Sequence, residues 1–457
     1  MHPMNSMNPM NPIDALRRHA DARPRDIALI RDREIWRHER LAYEVDRLAR
    51  ALTGLGVKRG ERVALHMANL PEMGVACLAC LRLGAVAAPL PTGATTEELA
   101  SLLERLRPAL YIGQATLYRR LAPLDGFLLA PDRRFIVGGP AEDPRAQPWA
   151  RLFGSCAAAL DGAEPDANAP ALLLATRGQA RLVIHTPRML AATEESFAHL
   201  ALAGGEVVVS ALPMAEAPGI FTLLACIRFG APALLVESAD PDAVLGGVER
   251  YAGRWLAGPP AMFAALLERQ GLRPRNIGSL RSCLSIGDAC PPPLQRRFPA
   301  MFGVPLSSVW ATAEAVGSLA GCAGCGPVGR IAPGAQARLL DEDGLPVAPG
   351  EVGELVLRGP NLAIGYWTGP GRIHDGFSDG WFHSGDLMRR GAADDLWFVS
   401  RKQHPADPRT RGRGVDAQRW HDAVPNASRT REDGAVVSVP SGGATTVAAF
   451  SRAETMP

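Results

Sequence analysis

Residues 62–91 read RVALHMANLPEMGVACLACLRLGAVAAPLP. The first seven residues alternate too little for a half-buried strand and form a short apolar run, which fits a strand buried on both faces. PEMGVACLACLRLG follows with Pro at the first helical position and Gly84 just past the last, the usual punctuation of a helix. AVAAPLP is a second buried strand, so the stretch is a β-α-β unit. Cys77 and Cys80 have Cys-x-x-Cys spacing, but they stand on the helix-period run EMGVACLACLRLGAV, where small buried thiols serve as core residues. Cys322 and Cys325 repeat that spacing in a Gly-rich loop with no nearby His, which argues against a four-ligand zinc site.

The alternation extends in both directions. Upstream, IDALRRHADARPRD (13–26) is a short helix stopped at Pro24, and LAYEVDRLARALTGLGV (41–57) places Leu48, Leu52 and Leu55 at helical spacing with Gly56 as C-terminal cap. Downstream come a helix over 96–106 and the strand ALYIG. A Pro- and Asp-rich connection then leads to ALLLA (171–175). Strands EVVVS and APALLV flank the helix GIFTLLACIRFG, and RWLAG leads into the helix PAMFAALLERQ. Repeated strand and helix alternation specifies stacked, mostly parallel α/β layers. From about residue 326 the pattern becomes short strands with regular turns (ARLLDEDGLPV, GELVLRG, DLWFVS), an antiparallel β subdomain.

The fold class is therefore α/β: a large multi-lobed N-terminal domain of stacked sheets plus an antiparallel β subdomain. It spans 13–402, after a disordered Met-, Asn- and Pro-rich leader at 1–12. The polar segment KQHPADPRTRGRGVDAQRW reads as a hinge, and 403–457 as a truncated small α+β C-terminal domain with a strand-turn-strand end, DGAVVSVP to ATTVAAF.

Composition bounds the partner class. At 457 residues the chain holds several lobes at about 100–200 residues each. Its 47% hydrophobic and 21% charged residues are those of a globular protein, neither disordered nor membrane-embedded. Gly (47) and Pro (39) are abundant, so loops carry the chemistry. Net charge is +2 with arginines interleaved among acids, so there is no nucleic-acid footprint, and a small-molecule partner is expected. Only Lys58 and Lys402 are lysines, leaving few amines for catalysis. No run reaches the roughly 18 apolar residues of a membrane span, and the N-terminus lacks a secretion signal, so the expected location is the cytoplasm.

Three constellations carry chemistry. GELVLRGPNLAIGYW (353–367) followed by DGWFHSGDL (379–387) resembles the late core motifs of the adenylate-forming, AMP-binding superfamily of acyl- and aryl-CoA ligases, peptide-synthetase adenylation domains and luciferases. The resemblance covers most of the chain. RPRDIALI, ERLAYEVDRLARALTGLGVKRGERVALHMANLPE and LACLRLGAVAAPL look like the opening of these ligases, and SLRSCLSIGDA (279–289) looks like their adenine-covering turn.

This resemblance implies that Asp386 binds both ribose hydroxyls of ATP, which suits a carboxylate with two acceptor oxygens. It implies that Gly287, Asp288 and Ala289 line the base, and that Arg401, after LWFVS, also contacts the ribose. In VWATAEA (309–315) it places Trp310 in the usual Tyr position, able to stack on adenine. Thr312 falls in the nucleotide site, and Glu314 on the magnesium-binding Glu, offering the hard oxygen that Mg²⁺ prefers. Ala311 and Ala313 depart from the family pattern, as does Gln403 at the hinge. The phosphate loop departs furthest. ATRGQAR is shorter than the family's Ser/Thr/Gly-rich run, retains Thr176 and Gly178, and carries Arg181 where the family has Lys, an adequate phosphate ligand.

The C-terminal segment AVVSVPSGGATTVAAF resembles the central hairpin of the family's mobile domain, and the chain ends about half-way through that domain, before its active-site lysine. LPMAEAPGIF (212–221) lacks the Asp with which peptide synthetases hold an amino group, implying a small-residue, apolar pocket near Ala215, Pro218 and Gly219. The resemblance thus implies a carboxylate ligase using ATP and Mg²⁺, with Glu314 and Arg181 as its catalytic residues. Its substrates are a small carboxylic acid and the thiol of CoA or of a phosphopantetheine acyl carrier protein. The alternative is a non-catalytic or half-reaction homologue that binds an adenylate and needs a partner.

Overall fold

The 62–91 unit folds as its sequence indicates. Strand Arg62–His66 leads into helix Pro71–Leu83, Gly84 takes the left-handed conformation that closes the helix, and strand Val86–Pro89 returns parallel to the first. A computed structural model of the chain describes residues 11–402, except 122–128, 139–145, 156–158, 161–164, 177–180, 203, 322–325, 375–376 and 378, together with the backbone of strands Val437–Ser441 and Ala444–Ala448. Gly178, Cys322 and Cys325 lie outside the described residues. Cys77 and Cys80 are buried on their helix, and burial pushes the Cys77 thiol up to about 12, so it is a core residue in protonated form.

Two mixed sheets and one antiparallel sheet make up the first of two units, Met1–Phe398. The seven-stranded sheet runs in the order 306–309, 282–286, 255–258, 208–210, 233–235, 27–31 and 34–37. It is parallel except for the final hairpin. The nine-stranded sheet is centred on 86–89, 62–66 and 110–114. One apolar cluster serves both sheets: Leu29 and Val208 of the first and Leu65 and Leu172 of the second share it with helix residues Leu48, Leu52, Leu78 and Leu223. Helix His38–Gly54 stops where expected, with Gly56 at φ +77° and the Val57 N–H donating to the Leu52 carbonyl at 2.9 Å. No helix among the described residues is long and apolar enough to cross a membrane.

The third sheet, six strands between Leu319–Ala320 and Asp395–Arg401, pairs 319–320 with 327–331, 327–331 with 395–401, 336–340 with 352–358 and 352–358 with 382–390, all antiparallel, and matches the pattern change near residue 326. One segment of that stretch goes elsewhere. The hairpin Tyr366–Gly369 with Arg372–His374 extends the nine-stranded sheet, pairing Tyr366 with Val183 and Trp367 with Leu182. The motif GYW thereby links the antiparallel lobe to the strand that follows Arg181. The second unit, Val399–Pro457, contains an antiparallel hairpin that pairs Val437 with Ala448 and Ser441 with Ala444.

Candidate active site

In parallel α/β sheets, ligands bind beyond the carboxyl ends of the strands, where loops diverge. Most of the candidate residues stand at such ends. Strand Ser282–Ile286 delivers Gly287, Asp288 and Ala289 as an exposed turn, with Gly287 at φ +112°, a conformation that glycine adopts without strain. Strand Leu306–Val309 delivers Trp310 through Glu314, and strand Leu172–Ala175 delivers Thr176.

Glu314 is the centre of a polar cluster. It is 7% exposed, and each carboxylate oxygen accepts a hydroxyl: Thr312 Oγ1 donates to Oε2 at 2.5 Å and Tyr366 donates to Oε1 at 3.0 Å. Its backbone carbonyl accepts the Ala363 N–H at 2.9 Å, so the segment 363–366 is tied to this point twice. The Arg181 guanidinium lies over the Tyr366 ring, 5.3 Å from its centre, within cation–π range. Burial and the adjacent Glu314 carboxylate push the Tyr366 phenol up to about 12, so at neutral pH it is a donor. Next to this group His185 is fully buried beside Phe221 and the Ala313 backbone, and burial lowers its pKa to about 4, leaving a neutral ring.

The phosphate-loop residues are arranged at the base of that loop. Thr176 and Arg181 close it with two bonds: the Thr176 N–H donates to the Arg181 carbonyl at 2.8 Å, and the Arg181 N–H donates to the Thr176 hydroxyl at 3.2 Å. The Arg181 side chain is left exposed above them.

Asp386 is aimed by a bulge. Between the pairs Glu354–Leu387 and Val356–His383 the longer strand carries extra residues, with Gly385 at φ +70°. Bulges of this kind re-aim a side chain beside a site. Glu354, itself buried, accepts the Gly385 N–H at 3.1 Å. The Ser384 hydroxyl donates to the Leu355 carbonyl at 2.7 Å and accepts the Asp386 N–H at 3.1 Å. Asp386 is 9% exposed, and its Oδ2 accepts the Trp310 indole N–H at 2.8 Å. Trp310 thus has a polar tie to Asp386 in addition to its aromatic face. Arg401 is exposed at the end of strand Asp395–Arg401 and belongs to the second unit.

A cavity of about 190 Å³ opens between the two α/β sheets, with Gly287 on its wall beside Ala215, Pro218, Asn69, Glu216 and Glu237. The expected small-residue lining is present at Ala215 and Pro218, but the wall is not wholly apolar, because Glu216 and Glu237 also reach it. Glu237 accepts from Gln114 Nε2 at 3.0 Å and Arg31 Nη2 at 2.9 Å. Asn69 fixes the lining loop, donating to the carbonyls of Leu212 and Val236 and accepting the Met214 N–H. Gly219 lies under that loop, where an added Cβ would come 2.0 Å from the Pro213 carbonyl oxygen. A larger open hollow of about 670 Å³, with Arg17, Tyr43 and Arg50 on its wall, includes none of these residues.

The donor set suits magnesium in one respect. Glu314 supplies hard carboxylate oxygen, and Mg²⁺ is commonly held by one or two carboxylates plus substrate phosphates. Among the described residues no group of three His, Cys, Asp or Glu forms an all-protein metal cage. Tyr366 is the functional contact that sequence reading did not single out. Its only signal is its place in the GYW motif.

With this geometry in place, comparison with known proteins identifies the class. The sequence profile described as AMP-binding enzyme matches residues 16–367, and the chain belongs to this family of adenylate-forming enzymes. It is 28% identical over 393 residues to the benzoate–CoA ligase of Thauera aromatica, covering 81% of this chain and 74% of that one. It is also 28% identical to the salicyl-AMP ligase/salicyl-S-ArCP synthetase of Mycobacterium tuberculosis, covering 77% and 65%. In fold it is similar to an anthranilate CoA ligase solved with anthranoyl-AMP, at a TM-score of 0.79 and 22% identity, over 88% of this chain and 80% of that one.

Proposed function

We propose that the protein is an ATP-dependent, AMP-forming carboxylate ligase that makes an acyl adenylate and passes the acyl group to a pantetheine thiol, of CoA or of an acyl carrier protein. The observation that carries this reading is the Glu314 cluster, with Thr312 and Tyr366 on its two oxygens and Arg181 above, together with the Trp310–Asp386 pair. A carboxylate substrate attacks the α-phosphate of ATP and pyrophosphate leaves. Two anions must approach, so the first task of the site is charge compensation and the second is positioning. Glu314 would hold Mg²⁺, which when bound would supply Lewis-acid screening of the phosphates. Arg181 takes the β- and γ-phosphates. Asp386 orients the ribose, aided by Arg401. Trp310 and the 287–289 turn hold the base, and Thr176 with Gly178 belongs to the phosphate loop.

The acid sits in the cavity next to Gly287. The aryl acids in the names of the two relatives support an aryl or short acyl carboxylate as substrate. Residues 13–402 form the nucleotide-binding domain in this reading, and 403–457 the hinge and start of the mobile domain. The ATP requirement favours the cytoplasm as the place of action.

Arg181 provides a direct test. Arg181→Ala is expected to weaken ATP binding about tenfold, the scale of a charge-assisted hydrogen bond, while AMP, which lacks the outer phosphates, changes less than about twofold. Calorimetric titration of both nucleotides checks this. Equal losses for ATP and AMP would remove Arg181 from the phosphate site.

A further inference from the structure

We infer that Tyr366 is a positioning residue that sets both charged groups of the phosphate site at once, its hydroxyl orienting the Glu314 carboxylate and its ring carrying the Arg181 guanidinium. This rests on the ligase reading above and adds a residue to it.

The backbone brings the ring to this point. Tyr366 pairs with Val183, two residues after Arg181, on the strand that leaves the phosphate loop. The strands are clamped there by the Ile184 N–H to the Gly365 carbonyl at 3.0 Å and the Ile364 N–H to the Ile184 carbonyl at 3.2 Å. Gly365 makes the approach possible. At φ +133° it is in glycine territory, and a Cβ there would lie 2.6 Å from the His374 carbonyl oxygen. The ring is therefore delivered by pairing with the strand that follows the loop.

The hydroxyl faces Glu314 and is also in hydrogen-bond reach of Arg181, whose guanidinium lies over the ring. The hydroxyl donates to Glu314 Oε1 while Thr312 donates to Oε2, so the carboxylate plane is fixed from both ends. An ionised carboxylate has about four lone-pair sites, and these two bonds leave acceptor capacity for a cation. On the other side, the guanidinium of Arg181 lies over the ring, 5.3 Å from its centre, within cation–π range. Arg181 thus has an aromatic platform in this chain. If Tyr366 served packing alone, through its contact with the small cluster of Val183, Met189 and Ala363, its loss would weaken every ligand alike.

Three full-length proteins decide the matter: wild type, Tyr366→Phe and Tyr366→Leu, each titrated with ATP and AMP, with and without Mg²⁺. Tyr366→Phe keeps the ring and the packing. It is expected to reduce the gain in ATP affinity that Mg²⁺ confers by about tenfold, the scale of a hydrogen bond to a charged group. AMP affinity stays within about twofold. Tyr366→Leu is expected also to lower metal-free ATP affinity about fivefold, by removing the cation–π platform. If the leucine protein does not fold, the phenylalanine protein decides alone. A Phe variant with the full Mg²⁺ gain, or with ATP and AMP weakened in parallel, overturns the inference and leaves the ligase reading standing. A wild type that binds neither nucleotide overturns both.

Discussion

Asp386→Ala is expected to weaken ATP binding about 100-fold and to leave the melting temperature within about 2 °C of wild type. On the proposed ribose contact the substitution removes two hydroxyl-to-carboxylate bonds, each on the scale of a charge-assisted hydrogen bond, which together correspond to roughly two orders of magnitude in affinity. The fold loses little in exchange. Asp386 is bonded to the indole N–H of Trp310, and truncation leaves that half-buried donor unpaired, at a cost of about 1 kcal/mol. Spread over a unit of this size, such a change moves the midpoint only slightly. The bulge itself is held by Glu354 and Ser384, which the substitution does not touch. Titration calorimetry and a thermal melt on the same preparation check both halves. Unchanged ATP affinity would remove Asp386 from the ribose.

Glu314→Gln is expected to lower carboxylate-dependent ATP–pyrophosphate exchange by about 10²–10³, the loss typical of removing one electrostatic stabiliser of a reacting phosphate or carbonyl. Glutamine is close to isosteric and keeps an acceptor for one of the two hydroxyls, so the side chain remains in place. The negative charge that Mg²⁺ requires is gone. AMP binding, which depends on the base and ribose contacts, is expected to survive. An exchange rate within threefold of wild type would show that the metal is held elsewhere. On the proposed assignments, loss of Asp386 is expected to act on nucleotide binding, loss of Glu314 on reaction, and loss of Arg181 or Tyr366 on the preference for the triphosphate over AMP.

Much of the architecture was legible because it rests on local signals. The 62–91 unit shows two buried apolar runs around a helix with Pro at one end and Gly84 at the other. Helix Thr96–Leu106 begins with a Thr95/Glu98 capping box that can be read directly from the letters. The hairpin of Tyr366 and Arg372 was not legible in the same way. Its strands are three and four residues long, and its destination is set by pairing with residues 182–183, far away in sequence.

The site divides along the same line. Glu314 and Asp386 were identified from motifs in which each stands, but the bonds that orient them join residues 52 and 76 positions apart, from Tyr366 to Glu314 and from Trp310 to Asp386. The acidic part of the cavity wall escaped notice for a related reason. Glu237 follows a different strand from the loop 212–221, and only the folded sheet brings Glu237, Gln114 and Arg31 together beside that loop. The pair of hydrogen bonds between Thr176 and Arg181 is a further case in which the sequence supplies the residues and only the fold reveals that they close the loop on each other.

The central claim is that this chain adenylates a carboxylic acid, and the measurement that tests it most directly is ATP–pyrophosphate exchange on the purified protein with Mg²⁺ across a panel of aromatic and fatty acids. Exchange that depends on at least one of these acids is the expected result, with the aryl acids foremost. Stabilisation of the protein by a non-hydrolysable acyl-adenylate analogue, without exchange on any acid, would contradict it and identify an adenylate-binding protein that does not catalyse the reaction by itself.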